Sequence, residues 1–84
     1  MPLLQTMVIG IDDIYVPVKR RRDLKPETVE AIAESMLEHG QKTPISVRSD
    51  GERFVLVEGL HRLEACKALG EATINAIVVA ARQH

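Results

Sequence analysis

The segment Glu58-Gly59-Leu60-His61-Arg62 has residue types that could do chemistry. It stands between a continuous apolar run, Phe54-Val55-Leu56-Val57, and a helical pattern that closes at Leu69-Gly70. That position reads as a strand-to-helix junction. The first N–H groups of a helix lack internal acceptors and carry partial positive charge, so such a junction suits phosphate. Gly59 permits a tight turn and a close approach of backbone to ligand. His61 and Arg62 add side-chain donors, and a guanidinium can hold an oxyanion with two parallel bonds. Glu58 stands where it could hold a magnesium ion or orient a substrate hydroxyl. Each residue also has a plainer reading: His61 as an exposed or capping histidine, Arg62 in an ion pair with Glu58 or Glu64, and Glu58 only as that partner.

Other groups are weaker candidates. Lys19-Arg20-Arg21-Arg22 reads either as a solvated loop or, lying just before a helix, as a contact for ligand or nucleic acid. Asp12-Asp13, Glu30 and Glu34 are the carboxylates available as a general base, although Glu30 and Glu34 fall on the polar face of a helix. His61 and Glu64 are too few ligands for a metal. Cys66 lies on an apolar helical face and reads as core.

The elements that must position these residues follow from pattern. Met7 to Ile11 is apolar and β-branched, as in a strand. Asp12-Asp13 turns the chain, and Ile14 to Val18 leads into the basic run. Pro26 suits a first helical position, Glu27 and Glu30 suit the dipole, and Gly40 supplies a left-handed cap. Between them Val29, Ile32, Ala33, Met36 and Leu37 recur at helical spacing, predicting one buried face. Pro44 to Arg48 alternates like a half-buried strand. Ser49-Asp50-Gly51-Glu52 is hairpin-turn chemistry, and the run Phe54 to Val57 predicts a strand covered on both faces. A second helix spans Leu60 to Leu69, with Leu63, Ala65, Cys66, Ala68 and Leu69 leaving little exposed face. Ile74 to Ala80 is a last strand. The expected order is β-α-β-β-α-β, an α+β domain spanning residues 1–84 with two main helices on a small mixed sheet.

Composition narrows the function classes. The chain has 84 residues, a net charge of -1, one cysteine, and Tyr15 and Phe54 as its only aromatics. Aliphatic residues with Met7 and Met36 must therefore build the core, and a base-stacking aromatic platform is excluded. No global field favours DNA or an anionic membrane, so any nucleic-acid contact would come from a local patch. One cysteine excludes an intrachain disulfide and a Cys-based zinc site. Met1 to Ile11 lacks a basic leader, and no apolar run reaches membrane-spanning length. A cytoplasmic location is expected.

From about Met7 to Val79 the chain resembles the N-terminal domain of the ParB family, whose fold is shared with sulfiredoxin. Arg20 or a neighbour, then Asp23-Leu24 and the helix Val29 to Met36, resembles the ParB arginine and the helix after it. Gly40 to Arg48 resembles the G-x-x-x-P-I-x-V-R segment. Glu58 to Ala65 resembles the G-x-x-R-x-x-A box. The resemblance implies a ParB/sulfiredoxin-like fold and a site for ATP or a related nucleotide such as CTP, with Mg2+ as a companion ion. It implies phosphate contacts from the turn Gly59, Leu60, His61 and Arg62, and an arginine of Arg20, Arg21 or Arg22 reaching in from the side. Glu58 takes the place of an acidic, metal-associated residue.

The departures also carry expectations. Sulfiredoxins have their catalytic cysteine where this chain has Leu60, and Cys66 lies about two turns further along, so sulfinic acid reduction is not expected. Typical ParB boxes have Glu-Arg-Arg after the glycine, whereas Leu-His-Arg is closer to the sulfiredoxin and serine-kinase version. The chain ends where a ParB would begin its helix-turn-helix domain, which predicts a stand-alone nucleotide module, with hydrolysis or phosphoryl transfer open. Two rivals stay in view. One is a non-enzymatic module whose basic run and Arg62 contact DNA phosphates. The other is an interaction domain that pairs with a second copy or a partner protein through a sheet edge.

Overall fold

The computed structural model describes residues 6–41 and 43–79. Lys42 of the Gly40–Arg48 segment, and Ala80 at the expected end of the last strand, lie outside them.

Five strands form one mixed sheet: β1 (Thr6–Gly10), β2 (Ile14–Tyr15), β3 (Ile45–Asp50), β4 (Arg53–Glu58) and β5 (Thr73–Val79). They lie in the order β1-β5-β3-β4-β2. β5 runs antiparallel to β1 and parallel to β3, while β4 runs antiparallel to β3 and parallel to β2. Three helices accompany them, α1 (Val18–Arg21), α2 (Pro26–His39) and α3 (Leu60–Ala68). The α+β expectation holds, with two additions. Ile14–Tyr15 adds a two-residue edge strand beside β4, and the basic run is a helical turn rather than a loop. Both segments are too short for a periodic pattern to show in sequence.

The β3–β4 connection is the expected hairpin. Asp50 pairs with Arg53, so Gly51 and Glu52 form a two-residue loop. Gly51 sits at φ 67°, the first loop position where a primed turn takes glycine. On β4, adjacent Val55 and Leu56 are both buried, as a strand covered on both faces requires.

The core is aliphatic. Ile45, Val47, Leu56, Leu63 and Ala76 are all at most 2% exposed. α3 inserts Leu60, Leu63 and Cys66 into this cluster, while Lys67 and Ala68 face outward, so α3 keeps a wider exposed face than expected. α2 packs chiefly against α3 and contributes no fully buried residue. Its Val29, Ile32, Ala33 and Met36 are half-buried, but Leu37 is 73% exposed. A helix seated mainly on one other helix hides a narrow seam, and Leu37 lies beyond its margin. Met7, expected in the core, is 45% exposed on edge strand β1. No described helix is long and apolar enough to cross a membrane.

Candidate functional site

β4 ends by delivering Glu58 to the surface opposite Ser46 of β3. Their pairing shifts by one residue between Ser46 and Val47, so β4 bulges at its end. A bulge of this kind re-aims the side chains beside it. The next residue, Gly59, makes the turn at φ 109° and ψ 29° and starts α3. A Cβ there would lie 2.5 Å from Cγ2 and 2.8 Å from Cβ of Ile45. The turn is therefore seated directly on the first residue of β3.

With the turn fixed, helical geometry sorts the following side chains. Leu60 and Leu63, three apart on one face, go into the core. His61 and Arg62 are left half-buried at the flanks. The N–H of Leu63 donates to the Gly59 carbonyl at 2.9 Å, and no side chain among the described residues caps α3. The N–H groups ahead of Leu63 thus have no acceptor within the helix.

Arg62 lines a cleft of about 280 Å³ with Thr43, Pro44, Ser46, Glu58 and Gly59. It also lines a second cavity of about 180 Å³, whose other walls include Ile32, Ser35, Met36, Gln41 and Thr43. Arg62 and Thr43 are common to both, so the two cavities adjoin at these residues. The ion pairs among the described residues are Arg53–Asp50 and Lys67–Glu64. Arg62 pairs with neither Glu58 nor Glu64.

His61 is placed differently. Its Nε2 accepts a hydrogen bond from the backbone N–H of Lys25 at 3.1 Å, so it ties α3 to the start of α2. In a neutral ring the proton is then on Nδ1. His61 lines neither cavity. His61→Ala is expected to leave the sheet intact, cost about 0.5–1.5 kcal/mol, and speed hydrogen exchange at the Lys25 amide.

Arg20, Arg21 and Arg22 are exposed on and just after α1, and none lines either cavity. Asp12 and Asp13 sit exposed on a 3-10 turn after β1, and Glu30 and Glu34 are exposed on α2. None of these carboxylates lines the cleft with Arg62. No group of three metal-ligating side chains occurs among the described residues. Cys66 is 2% exposed; burial, and then the nearby Glu71 carboxylate, push its thiol above the usual range. It is a poor nucleophile, as its core position predicts.

Sequence inspection passed over Ser46, Thr43 and Gln41. Ser46 read as the outward residue of an alternating strand, and only the register places it against Glu58.

Residues 4–84 match the model of the ParB N-terminal domain. A chromosome-partitioning protein ParB of Helicobacter pylori is 38% identical over 72 residues, 84% of this chain and 25% of that protein. The chain thus spans about a quarter of that relative's length. Sulfiredoxin from Arabidopsis thaliana superimposes with a TM-score of 0.82 at 25% identity, covering 92% of this chain and 86% of that one. The chromosome-partitioning protein ParB of Caulobacter crescentus, truncated at its C-terminus and complexed with CTP-gamma-S, gives a TM-score of 0.80 at 24% identity. That match covers 94% of this chain and 46% of the other. With the family model matching almost its whole length, and with strands, helices and strand-to-helix turn arranged as described, this chain belongs to the ParB N-terminal domain family.

Proposed function

We propose that this domain binds a nucleoside triphosphate, with the phosphates at the start of α3 and Arg62 as their principal side-chain ligand. The observation that carries this reading is the cleft that Arg62 lines together with Ser46 and Thr43 at a helix N-terminus that no described side chain caps. The CTP-gamma-S complex of the Caulobacter relative supports it, and makes CTP the first ligand to test, with ATP beside it.

Glu58 is the carboxylate of this cleft and is exposed at its edge. Magnesium is commonly held by one or two carboxylates together with substrate phosphates, so Glu58 suits a Mg2+ that arrives with the nucleotide. Bound there, the ion would neutralise phosphate charge. Phosphoryl transfer depends mainly on positioning and charge stabilisation. Arg62 and the α3 N-terminus provide these, so hydrolysis or transfer is within the chemistry of the site.

A second reading has its own observation. Lys19, Arg20, Arg21 and Arg22 are all exposed on one helical turn and its end, outside the described ion pairs. They suit the phosphate backbone of DNA.

Titration of the isotope-labelled protein with CTP-Mg and ATP-Mg decides between them. Shifts centred on Gly59–Arg62 and Thr43–Ser46 are expected, and their absence at millimolar nucleotide would overturn the first reading. Salt-sensitive shifts at Lys19–Arg22 on adding duplex DNA would favour the second.

A further inference from the structure

Between the end of α2 and the start of β3 the chain must cross from helix to sheet in five residues, Gly40 to Pro44. That crossing forms part of the cleft wall, through Thr43 and Pro44. Gln41 has an unusual part in it. Its side-chain Oε1 accepts from the Asn75 N–H at 2.9 Å, and its Nε2 donates to the Asn75 carbonyl at 3.0 Å. One side-chain amide thus pairs with both backbone groups of a β5 residue. Ile45, the first residue of β3, pairs with the next β5 position, Ala76. The Gln41 amide therefore continues the β3 side of the ladder past the end of the strand. The same Nε2 also donates to the Thr43 carbonyl at 3.0 Å, which ties the crossing to itself.

Gln41 borders two cavities as well. One is the cavity it shares with Arg62 and Thr43. The other is a cavity of about 280 Å³ bordered by Cys66, Ile74 and Asn75. The described residues of the crossing, Gly40, Gln41, Thr43 and Pro44, lie in neither helix nor strand, so their backbone groups depend on such side-chain partners for their position.

We infer that Gln41 is a positioning residue for the Arg62 cleft: by docking on Asn75 and Thr43 it holds the Thr43–Pro44 wall where a bound nucleotide meets it. The inference rests on the nucleotide reading above. A wall held in place before binding spares the ligand the cost of ordering it. The role is distinct from touching phosphate, and its loss falls on affinity more than on the fold.

The test uses two uncharged replacements, with CTP-Mg and ATP-Mg as probes. Gln41→Met keeps length and removes all three hydrogen bonds; Gln41→Asn keeps the amide but is one methylene short. Ile11→Val, a core change at a residue that lines none of these cavities, controls for stability loss alone. The expected result is about fivefold to tenfold weaker nucleotide binding by both Gln41 variants. Faster amide exchange at Asn75 should accompany it, with affinity unchanged in Ile11→Val. Gln41 variants that bind within twofold of wild type would overturn the inference, as would an equal loss in Ile11→Val. A wild-type protein that binds neither nucleotide would instead overturn the underlying reading, and that shows before any variant is measured.

Discussion

Gly59→Ala is expected to lower the unfolding free energy by about 2–4 kcal/mol, because two independent costs meet at one atom. A side chain at φ 109° is strained whatever surrounds it. The new Cβ would also stand 2.5 Å from Cγ2 and 2.8 Å from Cβ of Ile45, which is 1% exposed and fixed in the centre of the core. Ile45 begins β3 and pairs with β5, so it cannot retreat without disturbing the ladder. Gly51→Ala is the matched control. Its φ of 67° carries the conformational strain, but nothing lies within 4 Å of its added Cβ. The difference between the two variants in urea or thermal unfolding measures the Ile45 contact together with the extra strain of φ 109° over φ 67°. For a domain of this size Gly59→Ala corresponds to a loss of at least about 10 °C in Tm. Equal effects of the two variants would show that β3 yields to the methyl group.

Arg62→Ala has the opposite profile. Arg62 makes no ion pair among the described residues, and α3 is anchored by Leu60, Leu63 and Cys66. The fold should change little, within about 0.5 kcal/mol. Charge-assisted hydrogen bonds contribute about 1.5–3 kcal/mol each, so CTP or ATP affinity should fall about tenfold to a hundredfold. Arg62→Lys should recover only part of that, since an ammonium keeps the charge and loses the planar fork. Calorimetric titration at two ionic strengths checks both statements. Unchanged affinity in Arg62→Ala would remove this side chain from the phosphate site.

Much of the frame was legible because its signals are local. Pro26 and Gly40 bound α2 within a residue of their expected roles, and Gly51 marks the hairpin. The Glu58–Arg62 junction was legible for the same reason: a glycine between an apolar run and a helical pattern has few other readings. The failures lay where burial depends on which element packs against which. Leu37 follows the apolar period of α2 yet stands in solvent, because α2 is seated mainly on α3. Met7 sits on edge strand β1, which has a sheet neighbour on one side alone among the described strands.

The sequence by itself determined the order of the main elements, the aliphatic core, the glycine at the junction and the family resemblance. Each rests on residue types within one stretch of chain. Only the tertiary structure decided which residues meet. It set Ser46 against Glu58 through a bulged register, brought Thr43 and Pro44 to Arg62, and gave the Nε2 of His61 to the Lys25 N–H. It also left Arg20, Arg21 and Arg22 outside the cleft and docked Gln41 on Asn75. These contacts join residues 12 to 36 positions apart, and strand register and helix seating, which no local pattern encodes, bring such residues together.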